Sequence, residues 1–135
     1  MKYTITVIIG LPGSGKSTLA KTLLKPNTYF IENPCREYDH YKDALKSGKD
    51  DIIISDATMI LVKKELIIRH LSKVFGTDID IKWIFFENDR IAAWANHVKR
   101  CQKEVKYLDE AYFEHLSERY VIPEGEEAKP IYKGK

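Results

Sequence analysis

Short apolar runs alternate with amphipathic stretches along the chain. The alternation predicts an α/β fold with a mostly parallel sheet of four to five strands flanked by helices. The run Ile5-Thr6-Val7-Ile8-Ile9 is too continuously apolar for a half-exposed strand and reads as a buried parallel one. Strands are expected near residues 3–9, 28–32, 51–55 and 80–86, with a weaker one near 130–133. Helical spacing predicts helices from Lys16 to Leu24, from Leu61 to Phe75, from Asp89 to Arg100 and from Asp109 to Tyr120. Asn88 or Asp89 offers an N-cap to the third of these, and Asp109 precedes Tyr112 and Leu116 at helical spacing. Lys25-Pro26-Asn27, Ser47-Gly48-Lys49-Asp50 and Gly76-Thr77-Asp78 punctuate the pattern as turns. The tail from Pro123 to Lys135 is expected to be loop with a short edge strand. No internal repeat or low-complexity linker divides the chain, so residues 1–135 are expected to form a single domain.

Composition narrows the picture by exclusion. The chain has 22 basic and 20 acidic residues, a formal charge of +2, without the basic excess of a protein that coats nucleic acid. Local basic patches remain open. Cys35 and Cys101 form no CxxC pair, which argues for two reduced thiols rather than a disulfide framework or a zinc site. The histidines at 40, 70, 97 and 115 lack metal-ligand spacing, and surface or packing roles are expected for them. No apolar run approaches the roughly 20 residues of a membrane span, so a soluble, cytoplasmic protein without membrane contacts is expected.

The most specific chemical signal lies between the first strand and the first helix. Gly10-Leu11-Pro12-Gly13-Ser14-Gly15-Lys16-Ser17 fits the phosphate-binding pattern GxxxxGK[ST], in the strand–loop–helix context that the pattern requires. Gly10, Gly13 and Gly15 can turn successive N–H groups inward, and the following helix adds the positive end of its dipole. In such a loop Lys16 neutralises β/γ oxygens and the Ser17 hydroxyl ligates Mg²⁺, so a nucleoside triphosphate is the expected ligand.

Three further segments could complete a phosphoryl-transfer site. Ile52-Ile53-Ile54-Ser55-Asp56 ends a strand on an aspartate, at the end of the sheet where open α/β folds bind ligands. Asp56 could accept from a metal-bound water or position another side chain, and Ser55 could take the first role instead. The basic segment Lys99-Arg100-Cys101-Gln102-Lys103-Glu104-Val105-Lys106 is expected to link two helices and could close over the phosphates. After the second strand comes Glu32-Asn33-Pro34-Cys35-Arg36-Glu37-Tyr38-Asp39-His40-Tyr41-Lys42, where Asp39, or else Glu37, could orient an acceptor hydroxyl. Tyr38 and Tyr41 could stack on a base there or simply cover the core.

Over roughly residues 1–120, the order of these motifs resembles the kinase domain of bacteriophage polynucleotide 5′-hydroxyl kinase. Gly10 to Thr18 is similar to that family's P-loop, Ile53-Ile54-Ser55-Asp56 to its strand end, and Asn96-His97-Val98-Lys99-Arg100 falls where it carries a lid arginine. The resemblance implies a three-layer P-loop NTPase fold with a short helical lid, using ATP and Mg²⁺ to phosphorylate a 5′-hydroxyl of DNA or RNA. It assigns Lys16, Ser17, Asp56 and Arg100 to the donor side. With several residues inserted, Asp39-His40-Tyr41-Lys42 is similar to the family's Asp-Asp-Tyr-Arg, with Asp39 as base and Lys42 in place of an arginine, whereas without the gap the partner falls near Cys35 or Arg36-Glu37-Tyr38-Asp39. A kinase acting on a nucleic acid or nucleotide is therefore expected. The alternatives are a kinase for a modified DNA base or small metabolite, and an ATP-binding or ATPase module without an acceptor.

Overall fold

A computed structural model of the chain describes residues 2–32, 38–104 and 109–131. The first strand, β1 (Tyr3–Ile9), leads through a loop into α1 (Lys16–Leu23), followed by β2 (Thr28–Glu32), α2 (Tyr38–Lys46) and β3 (Asp51–Ser55). A 3₁₀ turn (Ala57–Leu61) joins β3 to α3 (Lys64–Phe75); then come β4 (Ile79–Phe86), α4 (Arg90–Glu104), α5 (Glu110–Arg119) and β5 (Ala128–Lys129). The five strands form one sheet in the order β2-β3-β1-β4-β5, and every pairing is parallel. β1 is central, and its residues Ile5, Val7 and Ile8 are fully buried, as are Ile52 and Ile54 of β3 beside it. Each parallel pairing needs a crossover, which is why helices flank the sheet.

Side-chain alternation fixes which helix lies on which face. The Tyr3 ring sits 5.0 Å from Phe75 of α3, and Tyr41 of α2 lies 6.3 Å from the same ring. The odd-numbered side of β1 is therefore covered by α2 and α3. Phe86 shares the side of Ile8, because Ile8 pairs with Ile84, and it lines a small apolar cavity with Gly15, Thr18, Leu19 and Thr22. That puts α1 on the opposite face. Right-handed crossovers demand the same split, since α1 carries the chain from β1 toward β2 and α3 carries it back across β1 to β4. The segments leaving β1 and β4 thus diverge, and the crevice between them lies at the C-terminal end of the sheet.

One buried hydroxyl spans that divergence. Tyr120 follows α5, and its OH donates to the carbonyls of Phe86 and of Ile9, the latter at 3.3 Å. Burial raises its pKa above the ordinary tyrosine value, so the group remains a donor throughout the stable pH range. Asn88 holds the same corner, donating to the carbonyls of Ser117 at 2.8 Å and Tyr120 at 3.3 Å.

Four elements differ from the sequence-based expectation. Helix α2 is additional; Tyr41 and Ala44 anchor it among its described side chains, and its charge-rich nine residues read in sequence as part of a polar segment. The helix expected from Leu61 begins at Lys64. Residues 57–61 instead form i→i+3 bonds, Met59 N to Asp56 O at 3.3 Å and Val62 N to Met59 O at 3.2 Å, before Lys63 turns extended. Helix α4 runs past Arg100 to Glu104, so the first part of the expected basic link is helix. The last strand pairs at Ala128–Lys129 rather than 130–133, and residues 132–133 lie outside the described residues. Of the two residues offered as the cap of α4, Asp89 takes the role, accepting from Ala92 N at 3.1 Å, and Asp109 caps α5, accepting from Tyr112 N at 2.9 Å. Among the described residues no helix is long and apolar enough to cross a membrane.

Replacing Tyr120 by Phe keeps the ring and leaves two carbonyls without this donor. We predict a loss of roughly 1–3 kcal/mol in urea unfolding; an unchanged midpoint would show that the hydroxyl does not tie β1 to β4.

Candidate functional site: a glycine loop around a buried lysine

The loop begins where Ile9 ends the central strand. Gly10 is buried, and a Cβ there would lie 2.6 Å from Ser14 Oγ and 3.0 Å from Phe86 Cβ. Ser14 N donates to Leu11 O at 3.0 Å, closing a tight turn that carries Pro12 and Gly13. Gly13 (φ +87) and Gly15 (φ +104) both take the left-handed conformation that side chains disfavour. At Gly13 a second constraint applies: a Cβ would meet the Ala93 carbonyl oxygen at 2.1 Å and His97 N at 2.8 Å. The backbone of α4 therefore rests directly on the loop, and Asn96 Nδ2 donates to Gly13 O at 3.1 Å.

Helix α1 starts without a side-chain cap, because Gly15 at its N-cap has no oxygen to offer. The first-turn N–H groups of Lys16, Ser17 and Thr18 have no intrahelical acceptor and supply the partial positive charge of the helix end. Ser14 Oγ is fully buried and has no hydrogen-bond partner among the described residues. The Thr18 side chain is exposed.

Lys16 is the electrostatic centre. Only 8% exposed, it donates from Nζ to the carbonyls of Gly10 at 2.8 Å and Leu11 at 2.9 Å. Its pKa falls to about 7, chiefly through desolvation and also through the positive charge of Arg100; Asp56 and Glu32 pull the other way. Lysine, arginine and the two carboxylates are thus within electrostatic reach of one another although they come from four different elements or their ends.

The two carboxylates arrive through the sheet register. Glu32 pairs with Ser55, and Ser55 with Ile8, so the ends of β2, β3 and β1 stand in one rank. Glu32 accepts a hydrogen bond from Ser17 Oγ. Asp56, one residue past β3, is 3% exposed. Glu32 escaped the sequence reading as a site residue, since it lies in a segment full of other carboxylates. Its signal was its place as the last residue of a predicted strand.

Arg100 extends from α4 with an exposed side chain, and its Nη2 lies 3.2 Å from His97 Nδ1. His97 stacks on Phe113 of α5 with centroids 6.0 Å apart, and Trp94 packs on the same ring at 5.0 Å. Arg90 and Glu114 add an ion pair between the two helices. Helix α5 therefore fixes α4 over the loop. Cys101 is a free, buried thiol within 3.7 Å of the His97 ring.

The acceptor side is less fully described. Asp39 lies in the first turn of α2, with its side chain outside the described set, and Glu37 and Cys35 are outside the described residues altogether. Tyr41 does not face a ligand: it is 5% exposed and packs edge-on against His70 at 5.0 Å, which makes it a core residue.

Chemically, the loop can receive an anion. Uncapped helix N–H groups and a buried ammonium face polyphosphate chemistry well. For a divalent cation the nearby oxygen donors are the Ser17 hydroxyl and the Glu32 carboxylate, with Asp56 close to Lys16. Among the described residues no group of three or more His, Cys, Asp or Glu side chains forms a dedicated metal cage. Mg²⁺ does not require one, as it commonly takes one or two protein oxygens and completes its shell with water and phosphate. Compared with known proteins, the chain matches no family model and no curated relative.

The depressed pKa of Lys16 has a pH signature with a defined sign. Between about 7 and 10.5 the unfolded chain binds a proton at Lys16 that the folded chain has released, so stability at this site rises with pH across that window. Below it, the full cost of burying the ammonium applies. The stability difference between the parent and Lys16→Met, followed by urea unfolding without nucleotide, should shift in favour of the parent as pH rises from 7 toward 10. A pH-independent difference would contradict the assignment.

Proposed function

We propose that the protein is a P-loop kinase that transfers the γ-phosphate of ATP to a hydroxyl group of a nucleic acid or nucleotide. Its likeness is to the kinase domain of bacteriophage polynucleotide 5′-hydroxyl kinase. One observation carries the reading. A buried lysine sits within a glycine loop at the end of the central strand, in electrostatic reach of two carboxylates and of an arginine from the overlying helix. A loop built only to turn the chain would have no use for a buried ammonium, which is costly to desolvate.

In this reading the ATP phosphates draw the Lys16 amino group from the Gly10 and Leu11 carbonyls and favour its protonated form. The N–H groups at the start of α1 take the remaining oxygens, and Gly13 keeps the loop backbone open beneath α4. Mg²⁺ would be held by Ser17 with the help of Asp56 or Glu32, and would supply neutralisation of the phosphate charge. Arg100 swings from His97 to the transferring phosphoryl group. The acceptor oxygen bonds to the γ-phosphorus as the bond to the β–γ bridging oxygen breaks; ADP leaves, and the hydroxyl proton passes to Asp39, the proposed base.

The test uses γ-labelled ATP with a panel of 5′-hydroxyl oligonucleotides, hydroxymethylated DNA, nucleosides and small alcohols. Label should enter an acceptor and vanish with Lys16→Ala. Arg100→Ala should cut turnover by at least tenfold, roughly the loss of one charge-stabilising contact, while nucleotide binding persists. Lys16-dependent ADP release with no labelled acceptor would sink the kinase reading in favour of an ATPase module, and label in a small alcohol alone would move the acceptor away from nucleic acid.

A further inference from the structure

Strand β4 is eight residues long and pairs with β1 along Tyr3–Ile9, yet β5 meets it only at Phe85 and Phe86. The pairing leaves the outer side of Ile79–Ile84 without a strand partner among the described residues. Which groups face outward follows from the ladder. Glu87 N donates to Lys129 O at 2.8 Å, so Glu87 points its peptide groups away from β1. Within a strand N–H and C=O of one residue point the same way and alternate from residue to residue. The outward groups are therefore those of Ile79, Ile81 and Trp83, while Asp80, Lys82 and Ile84 turn theirs toward β1.

An antiparallel partner on this edge would form its hydrogen-bonded pairs through Ile79, Ile81 and Trp83. For a second copy related by a two-fold axis, the charges select among the possible registers. An axis through Asp80 sets Asp80 against Asp80, and one through Lys82 sets Lys82 against Lys82. An axis at Ile79 brings Asp78 opposite Asp80, and one at Trp83 runs into β5 at Phe85. Only the axis at Ile81 places Asp80 opposite Lys82 twice, in the closely spaced non-hydrogen-bonded pairs where opposite charges help most. It also sets Ile79 against Trp83 and Ile81 against itself on the other face. The side chains suit that pairing. Asp80 and Lys82 are exposed, while Ile79, Ile81 and Trp83 are half-buried and would gain cover. A cavity of about 610 Å³ opens beside Trp83 and Ile84, bounded by Gly125 to Pro130, and leaves space where the partner's strand would enter.

We propose that the edge of β4 is a homodimer interface, in which two copies pair antiparallel about Ile81 and join their sheets into one of ten strands. The self-complementary order Ile79-Asp80-Ile81-Lys82-Trp83 is the signature of an isologous contact. The site loop lies at the other end of the strands' sequence from this register, so the proposal is independent of the catalytic reading.

Sedimentation equilibrium of the full chain over a concentration series tests it. The parent should dimerise reversibly. Lys82→Asp should weaken the dimer by about tenfold or more, because it opposes two pairs of like charges, and Asp80→Lys with Lys82→Asp should return it to within a few-fold of the parent. Circular dichroism and unfolding midpoints verify that both variants fold; these exposed sites carry no core packing. A parent that stays monomeric at all concentrations would overturn the proposal and leave the edge to a strand of another protein. A dimer indifferent to Lys82→Asp, or one that the double exchange fails to restore, would overturn the register.

Discussion

The cationic end of Lys16 is buried in a loop where, among the described residues, it donates to two backbone carbonyls, those of Gly10 and Leu11. Burial of an ammonium is unfavourable unless opposite charge is at hand. The rest of the site is organised around that need. The parallel register brings Glu32 and the strand end before Asp56 into one rank with Ile8, and both carboxylates favour the charged form. Desolvation and Arg100 oppose them and win, lowering the lysine's pKa to about 7, so that it loses its proton as the pH rises past neutrality. In the proposed function, a polyphosphate supplies the stronger negative charge that the two carboxylates do not.

The covering helix belongs to the same arrangement. Helix α4 approaches Gly13 so closely that a methyl group there would strike the Ala93 carbonyl oxygen. Its position is set from the far side, where Trp94 and His97 pack on Phe113 of α5. Helix α5 in turn is anchored through Tyr120, whose hydroxyl binds the carbonyls of Ile9 and Phe86. A chain of contacts thus returns from the covering helix to the strand residue that immediately precedes the loop. Arg100 sits on a rigid element placed by the core rather than on a free loop.

Much of this was legible in the amino-acid order. The apolar run at Ile5–Ile9 and the glycine spacing located the central strand and the loop, since both signals are local and strong. The caps at Asp89 and Asp109 were readable for the same reason, as one side chain meets one backbone N–H three residues on. Long-range placement was harder. Glu32 reaches Ser17 only because β2 lies two strands from β1, a fact set by strand order and not by spacing. Helix α2 was hidden because its nine residues are dense in charge, and the Tyr41 ring, a plausible stacking platform in sequence, is spent on His70 and Phe75. The close contact of Gly13 with α4 had no local sign, because glycine there already fitted the loop pattern.

The central claim is that Lys16 waits largely uncharged for a polyphosphate. Calorimetric titration with magnesium ATP at about one pH unit above the lysine's value of about 7, in buffers of different ionisation enthalpy, measures it directly. Binding should take up close to one proton, seen as an observed enthalpy that varies linearly with the buffer's ionisation enthalpy. Absence of binding, or an enthalpy that does not depend on the buffer, would contradict it.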